Sequence, residues 1–131
     1  MPEHTTTPEV RSDEAAVIAS TLEYFEAWFD GDGERMDRVL HPGLAKRSLR
    51  QVDPDSGELR SVTKEQMVGW TAEGEGKSAD PGGDRGIDIE VLDIYGNIAS
   101  VVVRSPVYRE YLHLVRGDDG WTIANALWHF T

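Results

Sequence analysis

The sequence predicts an α+β fold in which three N-terminal helices pack on a strongly curved antiparallel sheet. Two observations carry this prediction. Helical spacing of apolar residues is confined to the first part of the chain, and the last part alternates in strands separated by glycine-containing turns. Helices that collect on one face of an antiparallel sheet define this class. A long helix lying across a curved sheet leaves a cone whose open end is a cavity.

The length of 131 residues fits one domain, and 39% hydrophobic residues are enough for a core. Residues 1–12 are rich in Thr, Pro and Glu and have almost nothing to bury, so they are expected to form a flexible leader. A single domain is expected over residues 13–131, because no repeat or second domain is visible in this range.

The first helix has an unusually wide apolar face. Ser12 or Asp13 can cap its start, and Gly31 ends it. Two lines of residues at helical spacing lie about 100° apart on its surface. The main line is Ile18, Leu22, Phe25 and Phe29, and the second line is Val17, Thr21, Tyr24 and Trp28.

Short elements follow this helix. Asp32 caps a second helix that is expected to end at His41-Pro42-Gly43. Strands at 45–52 and 58–62 flank a turn cluster at 53–57 and are expected to pair. Thr63 and Gln66 have the spacing of a capping box, which predicts the start of a third helix.

A glycine-rich stretch at 73–86 is too long for a plain connection, so it is expected to be a lid or a disordered segment. Four strands complete the chain, and short turns make consecutive strands antiparallel. They are expected at 87–95, 98–105, 107–116 and 121–130.

The composition excludes several functions. The formal charge of −11 repels phosphate backbones and anionic membrane surfaces, so neither nucleic acid nor membrane is an expected partner. No apolar run is long enough to span a membrane and no signal peptide is visible, so a cytoplasmic protein is expected. Cysteine is absent, and the four histidines lack metal-site spacing. We therefore expect neither a metal nor another cofactor.

The order of elements and several short segments resemble the nuclear-transport-factor-two-like superfamily across residues 13–131. The segments are Tyr24 to Trp28, residues 31–36, Leu40-His41-Pro42 with Lys46-Arg47, residues 111–114, and Asp119-Gly120-Trp121. They are similar to the SnoaL-like branch named for lumazine binding. The resemblance implies a cone-shaped α+β barrel and a homodimer formed through the outer face of the sheet. The superfamily includes isomerases, dehydratases, cyclases and binding subunits, so fold alone does not give the function.

The strand at 107–116 carries the clearest catalytic candidate. One of its faces holds Arg109, Tyr111 and His113, and this polar aromatic face is expected to line the cavity. An imidazole titrates near neutral pH, so His113 is a candidate acid or base with Tyr111 beside it. The alternative is that His113 is a packing or dimer-interface residue.

Other candidates would bind the substrate. Tyr24 and Trp28 lie one helical turn apart and could stack on a planar ligand, with the Tyr24 hydroxyl available for catalysis. Trp70 of the third helix is a further candidate for contact with the substrate. The alternative is that all three residues only complete the core. Arg47 could bind a carboxylate, although the segment before it also fits a structural turn.

The inward face of the last strand is not determined by the sequence. We expect Asn125 to point toward the cavity, because a short amide can orient a substrate, and His129 shares its face.

Two functions remain open. The first is a small-molecule-binding protein or cofactor-free enzyme of the isomerase, dehydratase or cyclase type, acting on a small apolar or heteroaromatic molecule. His113 would then move a proton and Tyr24 or Tyr111 would stabilise the developing negative charge. The second is a non-catalytic homodimeric interaction module whose cone is filled by its own aromatic side chains.

Overall fold

The computed structural model describes residues 8–49 and 57–131. The helices are α1 (Pro8–Asp30), α2 (Gly33–Val39) and α3 (Lys64–Ala72), with a 3-10 turn at Lys77–Ala79. The strands are β1 (Leu40–Ser48), β2 (Arg60–Val62), β3 (Asp88–Tyr95), β4 (Ile98–Arg104), β5 (Tyr108–Gly117) and β6 (Gly120–Phe130). Helices packed on one face of a curved sheet confirm the predicted α+β class.

Helix α1 begins at Pro8, where proline is tolerated because the first turn of a helix has no partner for its N–H groups. The predicted start at Ser12 or Asp13 is therefore wrong, and residues 8–12 of the expected leader are helical. Asp13 does not cap the helix. Its carboxylate instead accepts hydrogen bonds from Arg116 at 2.9 Å and from the Trp121 indole at 3.1 Å. Residues 1–7 of the expected leader lie outside the described part of the chain.

The buried face of α1 is rotated from the predicted main line. Val17, Thr21 and Tyr24 are buried, whereas Ile18 and Leu22 are each 36% exposed. The Thr21 hydroxyl donates to the Val17 carbonyl at 2.8 Å, so a polar side chain can lie in this face at little cost. Phe25 and Phe29 are buried, as predicted.

The six strands form one sheet in the order β2-β1-β6-β5-β4-β3. Every neighbouring pair is antiparallel except β1 and β6, which are parallel. The sheet is thus mixed, and the expectation of a purely antiparallel sheet is wrong at this pair. These two strands are the first and the last along the chain, so no hairpin turn determines their relative direction.

Helix α2 ends at Val39, and β1 begins at Leu40. The prediction that the helix continues to His41-Pro42-Gly43 is wrong, because this segment lies in β1, where the pairing with β6 is irregular. The β1–β2 pair is antiparallel as expected. Residues 50–56, with most of the predicted turn cluster, lie outside the described residues.

Both predicted helix caps of this region are confirmed. Asp32 accepts a hydrogen bond from the Arg35 N–H at 3.2 Å. Thr63 and Gln66 form the reciprocal bonds of a capping box at the start of α3.

A β-bulge divides β6 into two parts. His113 of β5 faces Asn125, but the next residue, Leu114, faces Ile123, so Ala124 is an extra residue. Ile123 and Ala126 are both buried against the helices, whereas a regular strand would place them on opposite faces. The bulge therefore lets Ile123 and Ala126 face the same way although two residues separate them.

The segment at 73–86 packs against the end of α1. A Cβ atom at Gly76 would overlap the carbonyl oxygen of Trp28, so the two backbones approach closely. The Arg85 guanidinium bridges Asp30 at 2.7 Å and Asp80 at 2.9 Å. This segment contributes Glu75 and Ala79 to the wall of a cavity.

The core fills the space between α1, α2 and the inner face of the sheet. Its largest fully buried side chains are Phe25, Phe29, Met36, Leu40, Leu112, Leu114 and Ile123. No helix in the described ranges is long and apolar enough to cross a membrane.

Candidate functional site

A cavity of about 450 Å³ opens between α1, α3 and the inner face of the sheet. Its volume lies within the range of small-molecule sites, about 300–1,000 Å³. Seven of its thirteen lining residues are aromatic: Tyr24, Phe25, Trp28, Trp70, Tyr108, Trp128 and Phe130. Large planar surfaces therefore dominate its walls.

Contacts between the aromatic side chains fix their positions. The Trp28 indole donates a hydrogen bond to the Tyr108 hydroxyl at 3.0 Å. The rings of Tyr108 and Phe130 stack at 5.5 Å, and Trp128 meets Phe130 edge-on at 5.1 Å. Because these rings hold one another in place, the cavity is largely preformed.

A buried polar cluster of Tyr24, Lys46 and Glu110 forms one end of the cavity wall. These residues come from α1, β1 and β5 and are only 2%, 8% and 2% exposed. The Tyr24 hydroxyl donates to Glu110 Oε1 at 2.9 Å and accepts a hydrogen bond from Lys46 Nζ. Lys46 Nζ also lies 3.4 Å from the same Glu110 oxygen. We call these three residues the buried triad.

The electrostatics of the buried triad follow from its burial. Burial raises the pKa of the Tyr24 hydroxyl well above its ordinary value, and the nearby Glu110 carboxylate raises it further. Burial lowers the pKa of the Lys46 ammonium, although Glu110 opposes this change. Tyr24 therefore retains its proton, while Lys46 releases one more readily than an exposed lysine does.

Regular alternation along β5 places Glu110 in the site. Glu110 shares a face with Leu112 and Leu114, and this face packs against the helices. Lys46 lies opposite Ala126 of β6, which faces the same way. Neither Lys46 nor Glu110 is among the site residues that the sequence predicts. The available signal was a charged side chain on the apolar face of a strand, since such a group requires a partner.

The structure brings together three of the predicted site residues and separates the others. Tyr24, Trp28 and Trp70 line the cavity, as the substrate-contact interpretation expected. The remaining five are exposed on the opposite face of the sheet: Arg47, Tyr111, His113, Asn125 and His129.

Two orientation predictions are therefore wrong. The face of β5 with Tyr111 and His113 points away from the cavity, because the more apolar face with Leu112 and Leu114 is buried instead. Asn125 also points outward, since the bulge at Ala124 lies next to it. Its amide nitrogen is 3.3 Å from the His113 ring nitrogen Nδ1, so the two side chains meet on the outer face.

Within the described ranges, no group of three His, Cys, Asp or Glu side chains is arranged to hold a metal ion. The polar groups that line the cavity include the buried triad, the Glu75 side chain and the Tyr108 hydroxyl.

A family model described as "Putative lumazine-binding" matches residues 12–129. The chain belongs to this lumazine-binding family. A comparison with curated proteins gave no match.

Solved structures give this lumazine-binding family member an NTF2-like fold. An NTF2-like protein of Silicibacter pomeroyi is 16% identical with a TM-score of 0.71, covering 92% of this chain and 98% of its own. One from Shewanella baltica is 15% identical with a TM-score of 0.71, covering 97% and 98%. One from Novosphingobium aromaticivorans, described with a cystatin-like fold, is 12% identical with a TM-score of 0.69, covering 93% and 84%. At these identities the likeness concerns the fold.

Proposed function

We propose that the protein binds a small, planar heteroaromatic molecule in the cavity between α1 and the sheet. The observation that carries this proposal is the combination of seven aromatic lining residues with one polar cluster. Aromatic walls favour stacking on a flat ring, and a few fixed polar groups orient it. Trp28 and Trp70 supply stacking surface, and the buried triad supplies hydrogen bonds.

The buried triad offers both donors and an acceptor. The hydrogen bonds and the ion pair that the described residues make with the Glu110 carboxylate go to Oε1, which leaves Oε2 as an acceptor for a ligand N–H. Lys46 Nζ has three N–H donors, so it can donate to a ligand carbonyl as well as to its protein partners. A fused ring with N–H and carbonyl edges matches this arrangement. Lumazine, which the family description names, is such a molecule.

Isothermal titration calorimetry with lumazine tests the proposal. We expect saturable binding that Trp70→Ala weakens, because Trp70 lines the cavity and is partly exposed, so its loss spares the core. The matched control is His113→Ala, which changes an exposed residue on the opposite face of the sheet and leaves binding unchanged. Binding that is absent, or that depends on His113 and not on Trp70, would contradict the proposal.

A second candidate function is proton transfer on a bound carbonyl compound. The observation that favours it is the hydrogen bond from Tyr24 to Glu110 inside an apolar cavity, which joins a base and a donor. Glu110 would then act as the base, the role that the sequence predicted for His113. A fold neighbour described as a putative dehydratase, from Streptomyces avermitilis, is 14% identical with a TM-score of 0.58.

Deuterium exchange tests this second function. In heavy water, the protein should accelerate exchange at the α-carbon of 2-indanone, as followed by NMR, and Glu110→Gln should remove the acceleration. Exchange no faster than in buffer would refute it.

We also propose a homodimer formed through the outer face of the sheet. The large apolar side chains exposed there include Tyr95, Ile98, Tyr111 and Leu127. Several exposed apolar side chains on one face are typical of a protein–protein interface. Sedimentation velocity should show a dimer that Tyr111→Glu dissociates, and a wild-type monomer at high concentration would contradict the proposal.

The alternative interaction module required a filled cone, whereas the cone of this protein contains the cavity.

A further inference from the structure

Lys46 occupies an unusual place for a lysine. Its side chain is 10% exposed, and its Nζ lies 5.0 Å from the Tyr24 ring centroid and 5.4 Å from that of Trp128. By contrast, Lys64 pairs with a surface carboxylate, that of Asp37, at 3.3 Å. Lysine is almost never buried without a partner, and a buried ion pair is often no more stabilising than apolar residues of the same volume. Stability alone therefore gives little reason for a lysine in this wall.

The surroundings of Lys46 suit an amine nucleophile. A neutral amine is the reactive form, and desolvation in an apolar pocket is one way to obtain it. The Glu110 carboxylate, 3.4 Å from Nζ, can accept the proton that the ammonium releases. Tyr24 contacts both groups through its hydroxyl, so it can carry a proton between them.

We propose that Lys46 condenses with the carbonyl group of an aldehyde or ketone held in the cavity, forming an imine. This inference rests on the proposed function, because it requires the cavity to accept a small molecule. It adds a substrate class, namely aromatic carbonyl compounds, whose rings would lie among the same tryptophan and phenylalanine side chains.

The proposed reaction balances without an oxidant or a reductant. Lys46 first passes one proton to Glu110, and the free amine attacks the carbonyl carbon to form a C–N bond. One amine proton then moves to the carbonyl oxygen through the Tyr24 hydroxyl, which gives a carbinolamine. Glu110 returns its proton to the hydroxyl group of the carbinolamine, which leaves as water. The product is a protonated imine on Lys46 beside the Glu110 carboxylate.

Reductive trapping tests the proposal on the full chain. The protein is incubated with 2-naphthaldehyde and sodium cyanoborohydride at neutral pH, and the labelled lysine is identified by peptide mapping. The chain has three lysines, at positions 46, 64 and 77, so the assignment is direct. We expect Lys46 to be labelled roughly tenfold or more faster than Lys64, since a bound aldehyde is held beside its amine. The rate should saturate with aldehyde concentration.

Variants distinguish labelling of Lys46 that the cavity promotes from labelling that only reflects the exposure of a lysine side chain. Lys46→Arg should lose the label, and Glu110→Gln should slow the labelling of Lys46 at saturating aldehyde concentration. Lys64→Arg is the matched control and should leave labelling of Lys46 unaltered. If lumazine binds in calorimetry but Lys46 is labelled no faster than Lys64, the imine proposal fails and the proposed binding function stands. If neither lumazine nor the aldehyde binds, both fail.

Discussion

Replacing Lys46 with methionine tests whether the buried triad is a connected unit. Methionine has a similar length and no charge, so the substitution removes the ammonium and leaves the Glu110 carboxylate buried. Glu110 keeps its 2.9 Å hydrogen bond from Tyr24 but loses the cation 3.4 Å away. Removing one partner of a buried pair costs about 3–5 kcal/mol. Because the tyrosine bond remains, we expect the lower end, about 3 kcal/mol.

Urea unfolding at neutral pH, followed by circular dichroism and tryptophan fluorescence, measures this loss. For a urea dependence of about 2 kcal/mol per molar, a loss of 3 kcal/mol lowers the midpoint by roughly 1.5 M. The matched control is Lys64→Met, which breaks the ion pair with the exposed carboxylate of Asp37. Such a surface pair contributes less than about 1 kcal/mol.

Adding Glu110→Gln to Lys46→Met should recover most of the lost stability, because a neutral amide can still accept the tyrosine hydrogen bond. If Lys46→Met is as stable as the wild type, or if the second substitution gives no recovery, the triad is not the coupled and desolvated cluster described above.

Two further predictions concern Tyr24 and a pair of glycines. The folded protein retains the Tyr24 proton above pH ~10, where an unfolded tyrosine ionises, so wild-type stability should fall more steeply from about pH 10 to 11 than that of Tyr24→Phe. Urea unfolding over a pH series measures both slopes. Gly76→Ala should lower stability by about 1–3 kcal/mol, because the added methyl group overlaps the Trp28 carbonyl oxygen. Gly69→Ala, in α3 with open space around it, should raise stability by up to ~1 kcal/mol.

Equal slopes for the wild type and Tyr24→Phe would mean that the tyrosine hydroxyl is not held in its protonated form by the fold. A Gly76→Ala variant as stable as Gly69→Ala would mean that the segment at 73–86 does not pack against α1 as closely as described.

The features that the sequence predicted best are local. The cap at Asp32 and the capping box at Thr63 depend on residues three positions apart, and the structure shows both. The order of the strands β3 to β6 follows from short turns, which allow only antiparallel neighbours. The parallel contact of β1 with β6 joins the first strand to the last, which lie far apart in the sequence, and no local pattern determines it.

The candidate site was predicted only in part, for two physical reasons. Tyr24 and Trp28 were found because helical spacing placed them on the second apolar line of α1, although the predicted main line through Ile18 and Leu22 is partly exposed. On β5 the face with polar aromatic groups was predicted to line the cavity. The other face is buried instead, because its leucines are the more apolar side chains. The contact between Lys46 and Glu110 spans 64 residues and becomes visible only when β1 and β5 are placed in one sheet.

The bulge at Ala124 bends β6, while the residues on both sides of it still pair with β5. Deleting Ala124 would let Ile123 and Asn125 follow each other as a regular strand, with Leu114 and His113 still opposite them. Every inward side chain would keep its direction, and only the bend would be lost. The extra alanine therefore adds a local bend to β6 while the pairing with β5 on both sides of it is kept.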